Sequence, residues 1–317
     1  MNERPNIRIL ITAPDGDPGR RVLRELLAPE FSVRVLLRDP AELPNEVRDE
    51  VEVVRGSSDD AVTLRAALEG VDALFWCVPP VSLQERNVPG HYERFARAGC
   101  RAIREAGTPR VVTVSAGGKG LARNAGPVLG LHVMEDILNE SGAAIRHLRC
   151  GWCMENFLRQ VQSICEHGIL SYPMPGDIPI PMVAAVDIVD AALRLLVRPN
   201  WIGVEGVALH GPEDLTYEKA AAVMERILER RVRYRELSTN HYVQSLIGLG
   251  ASAEHARGLA GMFAELAGGI SRAEPRTAES TTPTTLAAWA QSELLARVES
   301  LRSQSRTDAT RACHCNA

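Results

Sequence analysis

Three short runs in this chain combine residue types and spacings that can do chemistry. Cys150-Gly-Trp-Cys153 sets two thiols three positions apart. That is the spacing of a redox dithiol, or of half a tetrahedral zinc site for which Cys313-His314-Cys315 could supply the rest. Thr12-Ala-Pro-Asp-Gly-Asp-Pro-Gly19 follows an apolar run and carries Gly16 and Gly19. A glycine turn that opens a helix cradles phosphate through backbone N–H groups and the helix dipole. His132 is followed three and four residues later by Glu135 and Asp136, on one face of a helix. A carboxylate there would raise the imidazole pKa and orient the ring, as a general acid–base requires. The plainer reading, a histidine near a helix start making a local polar contact, is favoured over the catalytic one.

The elements that must hold these groups alternate. Ile7–Thr12, Val33–Leu37, Val51–Val54, Ala73–Val78, Val111–Val114 and Ile145–Leu148 read as buried strands. Helical patterns over Arg20–Leu27, Thr63–Leu68, Tyr92–Glu105 and His132–Glu140 fall between them. Such alternation predicts an α/β fold, a doubly wound parallel sheet with helices on both faces and right-handed crossovers. Ligands then bind beyond the carboxyl ends of the strands. The second half is less regular. Helices are expected over Asp187–Val197, Tyr217–Leu228, most of residues 241–270 and Thr285–Leu301, with strands at Gly206–His210 and Val232–Leu237 and Thr216 as an N-cap. This divides the chain into residues 1–156, a smaller and mostly helical lobe over 157–301 that returns to the core near 183–210, and a polar tail over 302–317 expected to be disordered.

Composition narrows the function. Charged residues make up 24% of the 317, the net charge is -4, and no basic footprint suggests nucleic acid. No apolar run approaches the roughly 18 residues of a membrane helix, and Met1-Asn2-Glu3-Arg4-Pro5 lacks the form of a signal peptide. A cytoplasmic protein with reduced cysteines follows, a monomer or homodimer with a small-molecule partner and no membrane contact. Lysine occurs only at 119 and 219, against abundant arginine, which suggests a GC-rich genome.

The order of several blocks resembles the NmrA-like family of atypical short-chain dehydrogenase/reductases. These are the loop from Thr12 to Gly19, Val35-Leu-Leu-Arg-Asp-Pro40, Leu68-Glu-Gly-Val-Asp-Ala73, Val112-Thr-Val-Ser115, Leu148-Arg-Cys-Gly-Trp-Cys-Met-Glu-Asn-Phe157, Gly211-Pro-Glu-Asp-Leu-Thr216, and Thr282-Pro-Thr-Thr285 before Trp289. The resemblance covers about residues 6–300 and implies a Rossmann-type dinucleotide fold. It implies an NAD(P)H-dependent reductase or related tailoring enzyme, acting on an aromatic or polyketide-like molecule of bacterial secondary metabolism. Two alternatives stand beside it: a cofactor-independent enzyme on a degenerate scaffold, and a non-catalytic NAD(P)-sensing regulator.

Carried over residue by residue, the family's Gly-x-x-Gly-x-x-Gly loop maps onto Ala13, Gly16 and Gly19. Ala13 stands for the first glycine, Pro14 and Pro18 remove N–H donors, and Asp15 and Asp17 bring negative charge. Two like charges 4–5 Å apart at an effective dielectric near 20 repel by roughly 3–4 kcal/mol. Arg20 and Arg21 could offset this. Both a weakened NADP(H) site and a turn with no cofactor therefore stand. Thr12, Gly16, Gly19, Arg20, Arg38, Val78 and Pro79 are the expected cofactor contacts, with Arg38 placed for the 2′-phosphate of NADP(H). The superfamily's Tyr-x-x-x-Lys dyad is absent, since neither lysine has a tyrosine four residues earlier. Ser115 and His132 occupy the remaining polar positions at which the resemblance implies proton handling. Trp76, Cys150, Trp152, Cys153, Asn156 and Phe157 are the expected substrate-pocket residues. The thiols are read as small pocket-lining groups ahead of a dithiol or a metal site, and no metal is expected.

Overall fold

In a computed structural model, which describes residues 7–108, 110–198 and 200–303, the alternation becomes a seven-stranded parallel sheet between two helical layers. Its strands are β1 (Ile7–Thr12), β2 (Phe31–Leu37), β3 (Glu52–Arg55), β4 (Ala73–Trp76), β5 (Arg110–Ala116), β6 (Ala144–Cys150) and, arriving late in the chain, β10 (Val204–Leu209). The order across the sheet is β10-β6-β5-β4-β1-β2-β3, every pair parallel. Strand order reverses between β1 and β4, which makes the crevice at their carboxyl ends the ligand position of a doubly wound sheet.

Period-two alternation sorts the side chains. Ile9, Ile11, Phe75 and Leu148 pack beneath α1 (Asp17–Glu25) and, further along, α7 (Ala185–Val197). Leu10, Leu74, Trp76 and Ile145 pack on the opposite face, beneath α3 (Ala61–Ala67), α4 (Val88–Ala106) and α5 (Pro127–Asn139). The short α2 (Asn45–Arg48) bridges β2 and β3. The chain therefore returns to the sheet through α7 and β10 after leaving it at residue 150.

Three helices begin earlier than their apolar periodicity suggests. α1 starts at Asp17 rather than Arg20, α4 at Val88 rather than Tyr92, and α5 at Pro127 rather than His132. Each has proline in its first two positions, where the missing N–H has no intrahelical partner to lose.

The second lobe has its own core, built from β7 (Trp152–Cys153), α6 (Val161–His167), β8 (Ile169–Tyr172), β9 (Ile180–Val183), β11 (Asp214–Leu215), α8 (Tyr217–Leu228), β12 (Arg233–Glu236), α9 (Thr239–Gly248), α10 (Ala253–Ala267) and α11 (Leu286–Trp289). Thr216 caps α8 by accepting from the Lys219 N–H. Two small sheets, β11-β9-β7 and β12-β8, are built from strands only two to four residues long; of these the sequence indicated only β12, within Val232–Leu237. The helix expected over Thr285–Leu301 is interrupted by a π-helical turn over Ala290–Leu294 and continues to 303, so residues 302 and 303 belong to it rather than to a tail. The rest of the expected tail, with Cys313-His314-Cys315, lies outside the described residues. Among the described residues, no helix is long and apolar enough to cross a membrane.

Candidate active site

The turn after β1 carries three features of a dinucleotide loop. Gly16 precedes α1 in an extended conformation and no side chain caps the helix. The first-turn N–H groups and the positive end of the helix dipole are thus left without a side-chain acceptor. Gly19 is packed so closely on the strand end that a Cβ would lie 2.3 Å from the Ala13 carbonyl oxygen. Ala13 holds the turn at φ +49°, a left-handed conformation that glycine adopts without strain.

The charges around the turn are arranged differently from a simple acidic barrier. Asp17 folds back on its own helix, accepting from Arg20 at 2.9 Å and from Arg21 Nε at 3.2 Å. Arg21 also pairs with Glu293 of the π-helical turn at 3.0 Å, so the final helix is clamped to the nucleotide helix. Asp15 is exposed, and its hydrogen bond and negative charge push the Glu42 carboxyl above its ordinary pKa. Arg38 is exposed at the end of β2, with its guanidinium on the Ser57 hydroxyl and 3.5 Å from Asp59. Asp39 is turned to the backbone, accepting from the Ala41 N–H at 3.0 Å.

Beyond the ends of β5 and β6, between the sheet and the second lobe, lies a cavity of about 800 Å³. Ser115, Ala116 and Gly117 form part of its floor, with Cys150, Trp152, Cys153 and Asn156 at the exit of β6. Tyr172, Tyr242 and Phe263 of the lobe complete an aromatic wall: the Trp152 ring lies 5.5 Å from Tyr172 and 5.4 Å from Phe263. A cavity of this size and apolar character suits a small organic molecule with a few polar anchors.

Its floor rests on a buried ion pair. Glu135 of α5 is fully buried and accepts from Arg149 of β6 at 2.7 Å. The Ser115 hydroxyl donates to the same carboxylate at 2.5 Å. His132 is also buried, but its Nε2 is bound to the Ala116 carbonyl at 3.0 Å. Lys119 donates to the His132 carbonyl at 2.9 Å and pairs with Asp136 at 2.6 Å.

A family model described as the NmrA-like family matches residues 5–290. The chain belongs to the NmrA-like family. It is 28% identical over 244 residues to an NAD(P)H azoreductase of Xenophilus azovorans, covering 76% of this chain and 81% of that one. It is 30% identical over 234 residues to a (4-alkanoyl-5-oxo-2,5-dihydrofuran-3-yl)methyl phosphate reductase of Streptomyces griseus, covering 73% and 78%. Among solved structures, an NADPH-dependent quinone oxidoreductase of Escherichia coli in complex with NADPH superposes with a TM-score of 0.76 at 24% identity, over 90% of this chain and 99% of that one.

Within this NmrA-like chain, several residues sit elsewhere than expected. Ser115 and His132 do not form a pair, because Glu135 takes the serine and a backbone carbonyl takes the histidine, which does not line the cavity. Neither Glu135 nor Asp136 pairs with His132, since each has its own cation. Trp76 is fully buried under α4, so close that a Cβ on Gly99 would meet its ring at 2.6 Å; period-two alternation turns it away from the cleft. Phe157 is likewise fully buried, in the lobe core beside Tyr217 and Trp289. The Thr12 hydroxyl is consumed at the switch point, donating to the Cys77 carbonyl and accepting from the Cys77 N–H, both at 2.8 Å. It ties β1 to the end of β4 and has no exposed surface for a cofactor. Val78 and Pro79 are half-buried just beyond, and the Pro79 carbonyl is bound to His91 Nε2 at 3.0 Å.

Cys150 and Cys153 are free thiols on the cavity wall. Burial pushes Cys150 well above its ordinary pKa and Cys153 up to about 12, so both stay protonated and weakly nucleophilic at neutral pH. Among the described residues, no group of three or more His, Cys, Asp or Glu side chains is placed to hold a metal ion.

The Glu135–Arg149 pair and the lobe residues Arg159, Tyr172, Arg235 and Tyr242 escaped the sequence reading. One signal was available. Ile145-Arg-His-Leu-Arg-Cys150 puts three basic residues in a strand that is buried on both faces, and each must find a partner.

Proposed function

We propose that this chain is an NAD(P)H-dependent reductase of a small, largely apolar molecule, with NADPH preferred over NADH. The observation that carries the reading is the state of the first turn of α1. Asp17 is drawn aside by Arg20 and Arg21, and no side chain occupies the helix N-terminus at the switch point of the sheet. Pro18 offers no N–H, so the donors that would meet a diphosphate are the Asp17 and Gly19 N–H groups, with the positive end of the helix dipole. The two reductases that resemble the chain, over most of its length, support the same reading.

Gly16, Gly19 and the first turn of α1 would hold the diphosphate, with Arg20 beside it. Arg38 would meet a 2′-phosphate. Asp39, the residue that could instead bind ribose hydroxyls, is occupied in capping the chain at Ala41. A bound nicotinamide supplies hydride to an electrophilic carbon of the substrate.

The chain's own groups orient that substrate and keep water away. Trp152, Tyr172 and Phe263 give an apolar, aromatic enclosure that holds a flat molecule by its faces. The Ser115 hydroxyl donates its hydrogen bond to Glu135, so it offers the cavity lone pairs and accepts a hydrogen bond from a substrate hydroxyl or N–H. It is a positioning group.

The experiment is a titration of the purified protein with NADPH and NADH, followed by turnover on a panel of quinones, enones and azo compounds. Micromolar NADPH binding, weaker NADH binding and oxidation of NADPH with one of these acceptors are expected. Absence of binding at millimolar NADPH would refute the reading. The secured hydrogens of Ser115 and His132 favour a second one, a dinucleotide-sensing regulator. NADPH binding with no turnover on any acceptor would select it.

A further inference from the structure

The cavity wall is electrically one-sided. Arg159 and Arg235 both line it, and no aspartate or glutamate does. Both are exposed, and neither makes an ion pair among the described residues, whereas Arg149 and Lys119, beneath the cavity floor, pair with Glu135 and Asp136.

The two share one wall. Arg235 is the register partner of Ser171 in the parallel β8–β12 pair. The Ser171 carbonyl accepts from Gln160 Nε2 at 2.8 Å, and Gln160 is the neighbour of Arg159. Period-two alternation along β12 puts Arg235 and, just past the strand end, Leu237 on the cavity side, with Tyr234 turned to the lobe core. The Arg159 charge is felt by the surrounding phenols. Burial pushes Tyr242 up to about 12 and raises Tyr172 further, and in both cases Arg159 opposes the rise.

From this we infer that the cavity selects an anionic substrate: an apolar, aromatic-sized body carrying a carboxylate or a phosphate, with the anion held between Arg159 and Arg235. Guanidinium groups recognise both anions through paired N–H donors, and these two stand exposed at the rim of an apolar cavity, where they reach an anion whose apolar body lies inside. Two unpaired cations facing a neutral ligand would gain nothing from it, whereas an anion gains charge-assisted hydrogen bonds from each. The inference deepens the reductase reading by naming its substrate class. It is tested without cofactor, so that it stands or falls separately.

The probes are 1-naphthyl phosphate, 1-naphthoate and the neutral 1-naphthamide, titrated by calorimetry into the full chain and into R159Q, R235Q, the double variant, and R226Q as an exposed control on α8. The wild type should bind the two anions about tenfold or more tighter than the amide. The phosphate-to-carboxylate ratio then says which anion the site prefers. The double variant should lose the preference while its amide affinity and NADPH affinity stay unchanged, and R226Q should behave as wild type. The inference is overturned if the amide binds as tightly as the anions, if the preference survives the double substitution, or if none of the three probes binds at millimolar concentration. It is also overturned if the double substitution weakens NADPH instead, which would assign the two guanidiniums to the cofactor.

Discussion

The Ser115 hydroxyl lies 2.5 Å from Glu135 Oε1, and that hydrogen bond decides what the floor of the cavity can do. Glu135 is fully buried and needs Arg149 to remain tolerable there. E135Q removes the close partner of Arg149 and leaves it the more distant Glu274 carboxylate at 3.9 Å, so stability should fall by about 1–3 kcal/mol. S115A removes one hydrogen bond to a charged group and should cost about 1–3 kcal/mol. The double substitution E135L/R149M, which removes both charges, should recover most of the E135Q loss. Urea unfolding of the four proteins measures this. Equal stability of E135Q and wild type would mean the pair contributes nothing.

The same hydrogen bond separates two roles for Ser115 in turnover. If the hydroxyl only accepts a bond from substrate, S115A should reduce kcat/KM by about three- to tenfold and leave the pH profile unchanged. A loss of about 100-fold or more with an altered profile would make Ser115 a proton donor after all.

The nucleotide turn gives opposite expectations for two neighbouring substitutions. Ala13 sits at φ +49°, which costs an L-residue roughly 1–2 kcal/mol, part of it returned because glycine loosens the unfolded chain. A13G should therefore be neutral or stabilising by up to about 1 kcal/mol and should tighten NADPH binding. G19A should do the reverse. Its Cβ would lie 2.3 Å from the Ala13 carbonyl oxygen, backbone that cannot swing aside. About 1–3 kcal/mol of stability should go, and NADPH affinity with it. Thermal unfolding and calorimetry check both, and a G19A protein that binds NADPH normally would remove the turn from the site.

The sheet was legible because its strands are continuous apolar runs at regular spacing, and burial on both faces leaves no other pattern for them. Helix starts were less so. Pro18, Pro89 and Pro127 look like breaks along the sequence, yet in the first turn of α1, α4 and α5 they cost no hydrogen bond. The site was the least legible part. Glu135 lies twenty residues from Ser115 and fourteen from Arg149, and nothing local in the sequence says that a carboxylate three residues after His132 will ignore it for a serine on β5 and an arginine on β6. Trp76 and Phe157 fall in the right stretches of chain and point the wrong way; side-chain direction depends on strand alternation at Trp76 and on the 3-10 turn over Met154–Gln160 at Phe157, neither of which motif matching reads.

The thiol pair yields a chemical prediction. With burial raising both pKa values, Cys153 to about 12, the thiolate fraction at pH 8 is small. Iodoacetamide at that pH should label Cys150 and Cys153 far more slowly in the folded protein than after urea unfolding. The C150S/C153S variant should bind as little zinc as the wild type. Rapid labelling of either thiol in the folded state, or zinc lost on substitution, would reopen the dithiol and metal readings.

His147 sets a pH limit on stability. Its Nε2 donates to Asn139 Oδ1 at 2.9 Å and its Nδ1 accepts from the Thr113 hydroxyl at 2.8 Å, an arrangement that uses the neutral ring. Burial outweighs the attraction of Glu135 and depresses the pKa from 6.5 to about 4. The unfolded chain therefore takes up a proton on this histidine at a pH where the folded chain does not. The stabilisation is fully present above about pH 6.5, falls by up to about 1.4 kcal/mol per pH unit below it, and is exhausted near pH 4, for a total of about 3 kcal/mol. H147Q keeps an amide donor and acceptor but cannot titrate. Its urea midpoint, measured from pH 7.5 to 4.5, should fall less steeply than that of the wild type, with the two curves converging as the pH drops. Parallel curves over that range would show that the folded ring takes up its proton as readily as the unfolded one, and that the network around Thr113 and Asn139 accommodates its charge.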